Sequence, residues 1–145
     1  LIPLRLWGVP ECALLLTYVG GTGHAAQDFA SNGLLLPGTE SLAIRYGLPL
    51  HRGPHRRYTD LVHARISMMA RLCQHQGEYV RTTAQFRIAL LQRTLRAALL
   101  SGAFPARLNR RDPTAAMTDF THLDAAIDRL WAATEPCISE VISTF

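Results

Sequence analysis

The sequence predicts an α-rich α+β fold, in which a short β-hairpin and the helix that follows it pack against further helices toward the C-terminus. Short apolar runs at Leu34-Leu35-Leu36 and from Leu48 to His51 are each bounded by turn residues, the pattern of brief strands. Farther along, apolar residues recur with a helical period in three long stretches, around Tyr58, Phe86 and Leu123. A chain of 145 residues suits a single domain with one good core. Within it, residues 1–76 form a core unit with an N-terminal arm, and residues 77–145 a helical extension.

Hydrophobic residues make up 48% of the chain and charged residues 18%, which excludes a disordered polymer. The longest apolar runs are only a few residues, too short to cross a bilayer. All 15 basic side chains are arginine, and the formal net charge is +4. That balance favours an anionic partner such as a phosphate backbone, although many soluble proteins are equally basic. Cys12, Cys73 and Cys137 are too widely and irregularly spaced for a disulfide framework or a metal knuckle, and read as buried thiols. The first residue is Leu1 and no leader pattern follows it, so the chain is expected to be part of something longer.

Taken in order, Leu1 to Trp7 is an apolar opening in which Pro3 disfavours helix, giving a strand or buried arm. Pro10 and Glu11 suit a helix start, Cys12 to Tyr18 is apolar, and Gly20-Gly21 ends a short buried helix. His24 to Ser31 suits one or two helical turns; His24 alone reads as a surface or satisfied core residue. Asn32-Gly33 forms a turn before the strand at Leu34, and Asn32 by itself reads first as a turn residue. Pro37-Gly38 ends that strand, Thr39 and Glu40 cap a short helix that Gly47 terminates, and Leu48 to His51 returns antiparallel. After His55 a helix carries Tyr58, Leu61, Val62, Ile66, Met69, Leu72 and Cys73 on its packed face, with Arg65 and Arg71 in water. Glu78 to Ser101 is a second helix with Phe86, Leu90, Leu91, Leu95, Leu99 and Leu100 packed, and Arg81, Arg87, Arg93 and Arg96 as a solvated face. Pro105, Pro113 and Asn109-Arg110-Arg111-Asp112 mark a connection. Thr121 and Asp124 then cap a last helix, which Pro136 should bend or interrupt.

Chemistry is signalled in one place. His51 and His55 are four residues apart where a helix opens, a spacing that lets two imidazoles on one side of a helical turn reach a single divalent cation. With 6 histidines in the chain such a pair also arises by chance, so spacing alone is a weak signal.

The surrounding run is more specific. Asn32-Gly33, Leu36-Pro37, Leu50-His51-Arg52-Gly53, His55 and Tyr58 together resemble the AHH family of nuclease toxins, within the His-Asn-His or ββα-metal endonuclease superfamily. The resemblance covers roughly residues 1–66 and implies that the hairpin and following helix form a ββα-metal unit in a single nuclease-like domain. The family pattern opens with Ala-His-His, two aliphatic residues and Pro, so Leu1-Ile2-Pro3 looks like the continuation of a His-His pair immediately upstream. A rival placement uses Gly23-His24-Ala25, but leaves a short gap to Asn32 and no second histidine. Thr59 departs from the Asn expected after Tyr58.

By that resemblance His51 and His55 hold one divalent cation (Mg, Mn, Zn or Ni) with one upstream histidine. The other upstream histidine takes the proton of the attacking water, and Asn32 orients that base. Arg52, Arg56 and Arg57 are candidates for neutralising flanking phosphates, against the plainer reading of solubilising surface arginines. The implied protein is a metal-dependent DNase of the HNH type at the C-terminus of a secreted antibacterial effector. It would act in the target-cell cytoplasm and be restrained in its maker by an immunity protein. The alternative from another class is a non-enzymatic helical interaction module whose histidines hold a structural metal or none; RNA is a second possible substrate.

Overall fold

The computed structural model describes residues 1–20, 28–73, 78–101, 108 and 120–142. A 3-10 turn, Leu4–Gly8, leads into α1 (Pro10–Gly20), α2 (Phe29–Asn32), α3 (Glu40–Tyr46), α4 (Arg56–Leu72), α5 (Glu78–Ser101) and α6 (Thr121–Ile142). Helix α1 packs on α4 and α5, and α5 packs on α6. One apolar core runs through these helices, joining Leu16 of α1, Val62 and Ile66 of α4, Leu91 and Leu95 of α5, and Ile127 and Trp131 of α6.

The expected hairpin is not there: among the described residues the chain is helical and contains no strand, so the fold is not α+β and there is no ββα unit. A backbone bond from the His51 N–H to the Pro37 carbonyl at 2.8 Å links the 34–37 and 48–51 segments, but they form no ladder. A ladder needs regular donors along both partners, and Pro37 and Pro49 have none. Side-chain burial holds these segments instead. Leu50 is fully buried and Leu34 and Leu36 pack on the helical core, while Leu35 points to solvent at 81% exposure.

The local punctuation follows residue chemistry. Thr39 accepts the Leu42 N–H at the start of α3, and Gly47 ends that helix in the left-handed region at φ 61°. Pro10 opens α1, as its fixed φ and missing N–H suit. The arm is shorter than expected, since Pro3 caps the 3-10 turn and only the first residues stay extended. Helix α6 continues through Pro136. His24 and the 109–112 run lie outside the described residues.

Two arginine readings are corrected. Arg65, expected in water, is 6% exposed. Its Nε donates to Asp124 Oδ1 at 2.7 Å, its other nitrogens bond Asp128 and the Asp124 carbonyl, and the guanidinium lies 5.5 Å from the centre of the Trp131 ring. Asp124, expected as half of a helix cap, thus ties α6 to α4. Arg87 is also buried, with its guanidinium 5.8 Å from the centre of the same indole. It takes a place on the packed side of α5, whereas Phe86 and Leu100 of that helix are exposed.

Candidate metal centre

The site is assembled from three parts of the chain that meet at Leu1 and Ile2. Asn32 ends α2, whose start is fixed by Asp28 accepting the Ala30 and Ser31 N–H groups. Gly33 follows because a Cβ there would collide with the Phe29 ring and carbonyl. Asn32 is buried, and its side-chain amide pairs with the backbone of Ile2: the Ile2 N–H donates to Oδ1 at 2.7 Å, and Nδ2 donates to the Ile2 carbonyl at 2.9 Å. The amino group of Leu1 donates to the Asn32 carbonyl at 2.5 Å. Tyr58, buried on the first turn of α4, donates its hydroxyl to the Leu1 carbonyl at 2.7 Å, and burial pushes its phenol far above the ordinary range. Two residues of the sequence motif, Asn32 and Tyr58, therefore grip the same dipeptide.

The histidines meet by a route that spacing does not describe. His55 is the residue before α4, with a non-helical backbone, and His51 lies in the preceding loop. Gly53 takes φ 84° between them, a conformation that other residues adopt only with strain. That turn brings the two rings to 4.5 Å between centroids at a 39° tilt. Thr59, where Asn was expected, donates from both its backbone N–H (2.9 Å) and Oγ1 (3.0 Å) to the His55 carbonyl. Nδ1 of the His55 ring lies 3.3 Å from the Leu108 carbonyl.

Electrostatics favours a neutral His51. Partial loss of solvent, then the neighbouring His55 ring, then the Leu1 amino group all lower its pKa from 6.5. The Leu1 amino group is itself held below its usual value, by burial first and by Arg96 second. Two imidazoles this close are ligands of the kind a borderline divalent cation takes. Among the described residues no group of three or more His, Cys, Asp or Glu side chains gathers to hold a metal.

Helix α5 contributes residues that the sequence does not mark as part of the site. Gln92, 6% exposed, donates to Asn32 Oδ1 at 3.3 Å. Arg96, one turn later and expected in solvent, donates to the carbonyls of Ala30 and Ser31 at 3.1 and 3.3 Å. A glutamine between Ile88 and Leu95 on the packed stripe is the available signal for the first. The second leaves none. Arg52, Arg56 and Arg57 are exposed beside the histidines.

A family model described as AHH, a nuclease family of the HNH/ENDO VII superfamily with conserved AHH, matches residues 21–95, just over half of the chain. The match takes in Asn32, His51, His55 and Gln92. It extends beyond residue 66 into α5, includes His24 and leaves Leu1-Ile2-Pro3 outside; no Ala-His-His run occurs in the sequence. No curated protein and no solved structure matches the chain.

Proposed function

The chain belongs to the AHH nuclease family of the HNH/ENDO VII superfamily, and on that footing we propose that it is a divalent-metal-dependent endonuclease that hydrolyses DNA. The observation that carries the reading is the approach of the His51 and His55 rings to 4.5 Å beside the Asn32 clamp. His51 and His55 are the metal-holding residues. Between the cations considered, imidazole ligands suit Zn or Ni better than Mg. A bound cation supplies a Lewis acid that polarises the phosphate and stabilises the leaving oxygen.

The protein's own groups do the rest. Asn32 holds Ile2 through both backbone groups and so fixes the direction of the chain at Leu1. A histidine directly upstream of Leu1 is the proton acceptor for the attacking water, and a second completes the ligand set; an unperturbed imidazole pKa of about 6.5 fits the first task. Support for this placement is the position of Leu1, whose backbone nitrogen lies on the Asn32 carbonyl and whose own carbonyl is held by Tyr58, so that a residue directly before it is brought beside Asn32. Arg52, Arg56 and Arg57 bind flanking phosphates, each offering a planar fork of donors.

In biological setting the domain is the toxic part of a secreted antibacterial effector. It acts in the target-cell cytoplasm, and an acidic immunity protein covers its basic face in the producing cell. The test is plasmid cleavage by protein carrying its native upstream residues, with Zn, Ni, Mn or Mg, with chelator, and with His55→Ala. Metal-dependent nicking that disappears in the variant is expected. Cleavage of RNA but not DNA would reassign the substrate, and cleavage unaffected by chelator would remove the metal.

A further inference from the structure

Leu108, between α5 and α6 in sequence, places a backbone atom beside the metal centre. Leu108 is 7% exposed and belongs to the apolar core, so its side chain anchors its own backbone. Its carbonyl lies 3.3 Å from His55 Nδ1. A peptide carbonyl only accepts hydrogen bonds, so the ring nitrogen facing it is the one that carries hydrogen. A neutral imidazole has a single N–H, and with Nδ1 protonated the lone pair is on Nε2.

Resting on the metal reading above, we propose that Leu108 is a positioning residue of the metal centre: its carbonyl fixes His55 in the Nδ1-protonated tautomer, so that Nε2 is the atom offered to the cation. The ring is then held from both ends. Thr59 fixes the His55 backbone carbonyl through two hydrogen bonds, and Leu108 fixes the ring and its tautomer. A ligand set in orientation and protonation before the cation arrives loses less freedom on binding, and partners of this kind typically contribute about 10–100-fold in metal affinity. The helical C-terminal half thereby takes part in the chemistry of the N-terminal half.

Long-range proton–nitrogen correlation of the imidazole groups in ¹⁵N-labelled protein at about pH 8, above the histidine range, reads the tautomer directly. The expected spectrum has a protonated Nδ1 and an unprotonated Nε2 for His55, and Zn²⁺ added to the sample should move Nε2 while Nδ1 keeps its hydrogen. Leu108→Ala keeps the carbonyl but removes its anchor; it should mix the tautomers and weaken Zn²⁺ binding by roughly 10-fold or more. Leu16→Ala, a truncation of the same size in the core at α1, should change neither. A protonated Nε2 in a protein that binds Zn²⁺ overturns the inference alone, as does equal loss of affinity in both variants. A protonated Nδ1 in protein that binds no Zn²⁺ overturns the metal reading beneath it.

Discussion

His51 and His55 differ in how each is kept ready. His51 has its pKa lowered by partial loss of solvent first and by the neighbouring His55 ring second, whereas His55 is held by hydrogen bonds. A lowered pKa in the folded state means the unfolded chain binds the extra proton more readily. His51 therefore contributes stability that is fully present above about pH 6.5 and declines as pH falls through its lower folded value. Protein in which His51 is replaced by Gln should show a shallower loss of stability between neutral and mildly acidic pH, measured by urea titration; an unchanged slope would remove this contribution. Both His51→Ala and His55→Ala should lose most divalent-cation affinity in calorimetry while keeping their helical circular dichroism, because neither ring belongs to the apolar core. Asn32→Ala should act differently. It leaves the buried N–H and carbonyl of Ile2 without their partner and should cost about 1–3 kcal/mol of stability, whereas a variant as stable as the parent would contradict the clamp.

At the scale of elements, α4 is tied to α6 by Arg65, which spans from α4 to Asp124 and Asp128 of α6 and faces the Trp131 ring. Arg65→Ala removes charge-assisted hydrogen bonds worth roughly 1.5–3 kcal/mol each in favourable settings. Because the carboxylates are partly exposed, a net loss near ~2 kcal/mol is expected, and a thermal midpoint within error of the parent would refute the tie. This interaction also marks the limit of what periodicity conveys. The helices from Arg56 onward are legible because their burial repeats with a helical period, and the cap of α3 because Thr39 and Gly47 each have a local reason to be there. The strands are not, because an apolar triplet beside a proline looks extended, but pairing depends on donors that Pro37 and Pro49 lack. Arg65 and Arg96 sit where an arginine meets a partner some sixty residues away, and period alone assigns such residues to water. The histidine pair is visible from spacing, yet it forms through the Gly53 turn and not on a helical face.

Across the whole molecule the candidate centre draws on the N-terminal dipeptide, the 32–58 segment, α5 and Leu108, so neither half of the chain carries it alone. The surplus of arginine gives this surface its expected affinity for phosphates. Binding to a short DNA duplex should weaken steeply with salt, and replacing Arg52, Arg56 and Arg57 with Gln should reduce the slope of log affinity against log salt by about one for each phosphate no longer neutralised. A salt-independent affinity would count against an electrostatic DNA face.

The proposed centre pairs His51 and His55 as metal-holding residues with a proton acceptor from histidines proposed to stand directly before Leu1. The most direct measurement is the single-turnover rate of DNA cleavage with Zn²⁺ or Ni²⁺ for three proteins: the chain beginning at Leu1, the chain with its native upstream residues, and that longer chain with each added histidine changed to Ala. Loss of a positioned base costs roughly 10²–10⁴-fold. The account predicts that the longer chain cuts faster than the other two by at least that lower figure. Full-rate cleavage by the chain beginning at Leu1, abolished by His24→Ala, would contradict it and move the missing group to residue 24.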